Sequence, residues 1–84
     1  MLTVYSKPAC PQCDQAKALL KSKGVEFKVV HLDVQQPKVP GEEYITRDEL
    51  LAKIPTARMM PQIMDGDVHV GSLNELKEYL ATRA

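Results

Sequence analysis

The chain has no tryptophan, one phenylalanine and three tyrosines, so aromatic residues make up only 5% of it. It also has no surplus of charge: eleven basic residues balance eleven acidic ones, for a formal net charge of zero. These two deficits remove the stacking platform and the basic face that nucleic-acid binding needs, and no nucleic acid is expected as a partner. The charge balance also removes long-range steering by the whole molecule. No apolar run approaches the roughly 20 residues that span a membrane, so no membrane association is expected. A strand predicted from Leu2 onward leaves no room for a secretory leader, and a cytoplasmic setting follows as the expectation. No broad apolar stripe is left over for self-association, so a monomer is expected.

Cysteine is nearly absent as well: Cys10 and Cys13 are the only two. Two cysteines cannot build a disulfide framework. His31 and His69 are too far apart to complete a finger-type ligand set with them, and no metal is expected. With 84 residues the chain is predicted to be one small domain, residues 1–84, burying a modest core.

What is present is a Cys10-Pro11-Gln12-Cys13 unit at the seam between a strand and a helix. Leu2-Thr3-Val4-Tyr5 reads as a short buried strand, and Ala16, Leu19 and Leu20 then recur at helical spacing. Pro11 suits the first helical position, where its missing N–H is no loss. That makes Cys10 the predicted N-cap, with its sulfur directed at the free amides of Gln12 and Cys13. Those amides and the positive helix end favour an anion. Sites of this kind lower a thiol pKa from about 8.5 to roughly 3.5–7.5. Cys10 is therefore the candidate nucleophile. Cys13, on the stripe with Ala16 and Leu20, should be the deeper of the two and resolve the mixed disulfide formed by the first. Three other readings of the pair are a structural disulfide, a metal site and two inert thiols. A structural disulfide would close too small a loop to stabilise much, on the order of 2 kcal/mol. In a reducing compartment a lone Cys-x-x-Cys points to redox chemistry.

Along the rest of the chain, the first helix is predicted from Pro11 to about Lys23, with Gly24 in the left-handed position after it and Val25 supplying an apolar contact. Residues 26–32 read as a second strand, parallel to the first through a right-handed crossover. Asp33 to Tyr44, broken by Pro37, Pro40 and Gly41, reads as a surface loop. Thr46 and Glu49 form a capping box that opens a short helix ended by Pro55. Gln62-Ile63-Met64 reads as a strand, Asp65-Gly66 as a hairpin turn, and Val68 and Val70 alternate with Asp67 and His69 on the returning strand. Ser72 and Glu75 match another capping box, followed by a stripe of Leu73, Leu76, Tyr79 and Leu80. The expected order is β-α-β-α-β-β-α: an α/β fold with a four-stranded mixed sheet flanked by three helices.

Three stretches carry a resemblance: Val4 through Cys13, Met60-Pro61-Gln62-Ile63, and Val70-Gly71-Ser72-Leu73-Asn74. Together they resemble glutaredoxins of the thioredoxin fold, the small phage and bacterial members most closely in length. The likeness covers nearly the whole chain except Asp33 to Tyr44. It implies a thiol–disulfide oxidoreductase with Cys10 and Cys13 catalytic. Pro61 would be the cis-proline facing the cysteines; read from the residues alone, it merely starts an edge strand. Met60 would present backbone groups to a bound thiol peptide. Lys7 would stabilise the thiolate and attract a substrate carboxylate, where by itself it reads as a solvated lysine. Gln12 stands where many members carry an aromatic, and either touches substrate or is simply exposed.

The resemblance further implies that Ser72, Leu73 and Asn74 hold the amino end of glutathione at a helix start. Many members have Gly-Gly and then Asp there; Asn74 can hydrogen-bond but lacks the charge that pairs with an ammonium group. Glutathione is thus the implied reducing co-substrate, with no cofactor bound. Protein disulfides and glutathione-mixed disulfides are the implied substrates, ribonucleotide reductase among them. Gln between the cysteines also occurs in glutaredoxin-like redoxins that are recharged by thioredoxin reductase and feed ribonucleotide reductase; their C-terminal Gly-Phe-Arg-Pro run is absent here. A non-enzymatic binding module or metal-cluster carrier is the remaining alternative.

Overall fold

The computed structural model describes residues 1–57 and 59–82. Strand β1 (Leu2–Ser6) leads into helix α1 (Pro11–Ser22), followed by β2 (Phe27–Leu32), β3 (Glu43–Ile45), α2 (Arg47–Lys53), β4 (Gln62–Asp65), β5 (Val68–Gly71) and α3 (Leu73–Thr82). The sheet order is β3-β2-β1-β4-β5. Strands β1, β2 and β3 run parallel, and β4 and β5 are antiparallel to their neighbours. Strand β1 is thus central, and its C-terminal end delivers the chain to Cys10.

Two helix ends match their local chemistry. Helix α1 is followed, after its cap Lys23, by Gly24 at φ +67. The Gly24 and Val25 amides return to the carbonyls of Lys21 and Leu20, both at 3.1 Å, which satisfies two orphan acceptors. Helix α2 begins with a complete capping box: the Thr46 hydroxyl accepts from the Glu49 amide at 3.1 Å, and the Glu49 carboxylate accepts from the Thr46 amide at 3.0 Å.

Alternation along β1 divides the interior in two. Leu2 and Val4 join Ala16, Leu20, Ile63, Leu73 and Leu76 beneath α1 and α3. Tyr5 joins Val30, Leu32, Ile45, Leu50, Ile54 and Met60 on the α2 side, and Cys10 and Cys13 belong to this second cluster.

Two sequence expectations need correction. The sheet has five strands, not four. Residues 43–45 fall within and just beyond the predicted loop, yet they pair with Val30, His31 and Leu32. Three residues are too few to show alternation, and their partners are remote in sequence. The hairpin turn is Gly66-Asp67, one residue later than expected, because Asp65 stays in the ladder opposite Val68 and its carboxylate accepts from the Tyr79 hydroxyl. Gly66, at φ +60, then takes the first turn position. Val68 on the returning strand is 62% exposed. A register shift between Ile63 and Met64 breaks the simple alternation of β5, and only Val70 packs on the core.

Gly71 joins β5 to α3 at φ +126, and a β-carbon there would stand 2.6 Å from the Glu75 β-carbon. The obstructing atom is fixed to the helix backbone, so the helix itself would have to move. Gly71→Ala is expected to lower the unfolding free energy by about 2–3 kcal/mol, read from urea unfolding midpoints at constant slope.

Candidate active site

The site is built at the end of β1. Ala9 occupies the left-handed region at φ +54, unusual for a residue with a β-carbon. This turn swings Cys10 into extended geometry (φ −120, ψ 98) at the N-cap of α1, with Pro11 first in the helix. The Cys13 amide donates to the Cys10 sulfur at 3.1 Å. The two cysteines are joined as a disulfide, with Cα atoms 5.2 Å apart. Cys10 keeps 7% of its surface and Cys13 none. One sulfur at the rim with its mate beneath is the order of burial the helical stripe predicts. Asp14 places a negative charge in the first turn, and Lys17 pairs with it at 3.5 Å.

Opposite the sulfur stands the segment before β4. The Met60–Pro61 peptide is cis, and the Met60 carbonyl oxygen lies 3.8 Å from the Cys10 sulfur. Met60 and Pro61 are both buried. Lys7 is exposed and lies between two clefts. One, of about 100 Å³, it lines with Arg47, Leu50, Met59 and Met60. The other, of about 350 Å³, opens on Cys10 and is walled by Asp14, Lys17, His31, Glu42 and Tyr44. A wider depression of about 540 Å³ lies at the far end of β1, against Leu2, Gly24 and Asp65, and no cysteine lines it.

The structure therefore brings Lys7, Cys10, Cys13, Met60 and Pro61 together. Ser72 is set apart in a cleft of about 330 Å³ that reaches this group through Met59. Leu73 turns its side chain into the core, and Gln12 and Asn74 are exposed. The start of α3 keeps half of the expected capping box. The Glu75 carboxylate accepts both the Ser72 amide, at 2.9 Å, and the Ser72 hydroxyl, at 2.8 Å. One of the amides expected to await a ligand is thus already taken.

Sequence reasoning missed Arg47, Met59, Gln62, His69 and the wall supplied by the loop. Arg47 was legible only as part of a capping box. The loop is tied down by Lys38 to Asp33 at 2.9 Å, His31 to Glu42 at 2.7 Å, and the Val39 amide donating to the Tyr44 hydroxyl at 2.7 Å. Lys38, then the Gln35 amide, hold the Asp33 carboxyl below its usual range. None of these pairings has a sequence signature, because each joins residues whose spacing depends on the path of the loop.

The glutaredoxin family model matches residues 2–70. The chain belongs to the glutaredoxin family. It is 37% identical over 73 residues to Glutaredoxin 3 of Escherichia coli, covering 87% of this chain and 77% of that one. It is 33% identical over 75 residues to a glutaredoxin of Pseudomonas aeruginosa, covering 89% and 79%. Among solved structures, reduced Escherichia coli glutaredoxin superposes with a TM-score of 0.73 at 19% identity, over 98% of this chain and 94% of that one. A buckwheat glutaredoxin–glutathione complex gives 0.68 at 24% identity, over 95% and 67%. The fold of this glutaredoxin is thus thioredoxin-like, and its activity is thiol–disulfide oxidoreduction. Among the described residues no helix is long and apolar enough to cross a membrane, and no group of three or more His, Cys, Asp or Glu is placed to hold a metal ion.

The Ser72 amide, then its hydroxyl, depress the Glu75 carboxyl below the usual 4.5. A depressed carboxylate stabilises the fold above its unfolded pKa, and that contribution is lost as pH falls through the folded value. Stability should therefore decline as the medium is acidified below about 4.5, and Glu75→Gln should flatten that decline. Urea unfolding at about pH 6 and about pH 3 checks it: the variant is expected to lose less between the two.

Proposed function

We propose that this glutaredoxin, as one domain of residues 1–84, reduces protein disulfides and glutathione-mixed disulfides with Cys10 as nucleophile and Cys13 as resolving thiol. The observation that carries the reading is the Cys10 sulfur capping α1 while it accepts the Cys13 amide. In the reduced protein that same donor and the helix end favour the thiolate. The Cys10 thiolate attacks one sulfur of the substrate, forming a Cys10 mixed disulfide and expelling the other sulfur as a thiolate. Cys13 then gives up its proton and attacks the Cys10 sulfur, which releases the second substrate thiolate and closes the Cys10–Cys13 bond. One glutathione reopens that bond as a Cys10–glutathione disulfide, and a second departs with the first as oxidised glutathione.

Several residues support glutathione as the co-substrate. Lys7 and Arg47 line the cleft beside Met60 and offer two cations to a carboxylate. Met60 offers backbone groups to a strand-like cysteinyl segment. Gln12 and the α3 start at Ser72, Leu73 and Asn74 complete the surface, and Glu75 puts there the carboxylate that Asn74 lacks. The buckwheat relative is a glutathione complex. The substrates are cytoplasmic protein disulfides, ribonucleotide reductase among them by family resemblance, and the protein acts as a monomer.

A second reading, recharging by thioredoxin reductase, is favoured by Gln12 between the cysteines. One assay separates the two: a mixed-disulfide substrate with glutathione plus glutathione reductase, and then with NADPH plus thioredoxin reductase. Turnover is expected in the first; turnover confined to the second would replace glutathione as the electron source. Cys10→Ser should abolish activity in either system. Cys13→Ser should lose protein-disulfide reduction while keeping glutathione-dependent removal of glutathione from the mixed disulfide. Equal loss in both variants would overturn the assigned roles.

A further inference from the structure

Gln62 is one of two buried polar side chains among the described residues, with 5% of its surface exposed. Burying an amide is unfavourable unless both its ends are paired. Here both are. The Gln62 side-chain nitrogen donates to the Met59 carbonyl at 2.7 Å, and the His69 Nε2 lies 2.8 Å from the Gln62 side-chain oxygen. Only the NH₂ end of an amide can face a carbonyl, so the oxygen must face His69, and His69 Nε2 must carry a hydrogen. Neutral and protonated imidazole can both do so.

The result is a directed line of hydrogen bonds from β5, through the first residue of β4, to the loop. Its end point is the residue before Met60, whose own carbonyl lies 3.8 Å from the Cys10 sulfur. Gln62 is itself paired with Tyr5, so the line is anchored to the central strand of the sheet. The thiol–disulfide chemistry described above uses neither Gln62 nor His69.

We propose that Gln62, oriented by His69, is a positioning residue that fixes the Met59–Pro61 loop so that the Met60 backbone is ready to pair with an extended polypeptide carrying the target disulfide. The inference rests on the proposed role of Met60 as the backbone dock. Without the line, the loop has to be ordered by the substrate at each encounter, which weakens binding and leaves the sulfur chemistry alone.

The test uses steady-state kinetics on a disulfide peptide and on the same peptide N-methylated beside its cysteine, with urea unfolding in parallel. For the wild type, N-methylation should raise KM. Gln62→Met, similar in length but without hydrogen bonds, should raise KM for the plain peptide about five- to tenfold with kcat within about twofold. His69→Leu should raise KM about two- to threefold, and His69→Gln, whose amide can donate the same bond, should recover most of that loss. A wild type indifferent to N-methylation sinks the Met60 reading and this inference with it. A wild type that discriminates, beside a folded Gln62→Met with wild-type KM, sinks this inference alone and leaves Gln62 a filler of the core. If Gln62→Met fails to fold, the two His69 variants decide: equal KM values in both overturn the proposal.

Discussion

One N–H, that of Cys13, reaches back to the sulfur of Cys10, and the geometry around the redox pair follows from that contact. It exists because the helix begins at the right residue. Pro11 accepts the first helical position without losing a bond, Ala9 takes a left-handed turn that few side chains tolerate, and β1 ends one turn earlier in the centre of the sheet. Shift the helix start by one residue and the sulfur faces solvent in place of the amide. The positive field at this spot is local: it comes from the helix end and a few nearby cations, and a chain with no net charge adds nothing at long range.

Magnitudes decide what holds this arrangement. Exposed pairs such as Lys28 with Glu43 at 3.3 Å contribute about 0–1 kcal/mol each. Each fully buried leucine or isoleucine contributes about 1.5–3 kcal/mol, and Leu2, Leu20, Ile54, Ile63 and Leu76 are all of that kind. The two apolar clusters therefore carry the fold, and the ion pairs shape surfaces. Helix α1 is secured in both clusters, by Cys13 in one and by Ala16 and Leu20 in the other.

The redox pair was legible in the sequence because its chemistry is local. A cap, a proline, a second cysteine one turn on and a helical stripe all fall within about a dozen residues, where spacing alone fixes geometry. The capping box at Thr46 and the left-handed Gly24 were readable for the same reason. Pairings across the fold were not. The third strand is three residues long and is defined by β2, not by its own pattern. The hairpin slipped by one residue because Asp65 has partners in the ladder and in α3. The line from His69 to Met59 spans a strand pair and a loop, and Gln62 looked like any polar residue at the start of a strand. Loop residues 33–42 were readable as irregular, but their placement beside Cys10 follows from β3 returning the chain along β2.

That placement separates two jobs. The loop is fastened to the end of β2 and to itself, through Glu42, Tyr44, Lys38 and Gln36, whereas the sulfur is aimed by α1 and the sheet. Residues at the rim of the Cys10 cleft can therefore change without disturbing the machinery beneath them. The molecule is organised as an interchangeable faceplate over a fixed electrode, so a lineage could acquire new clients by editing a dozen surface positions while the electron chemistry stays as it was.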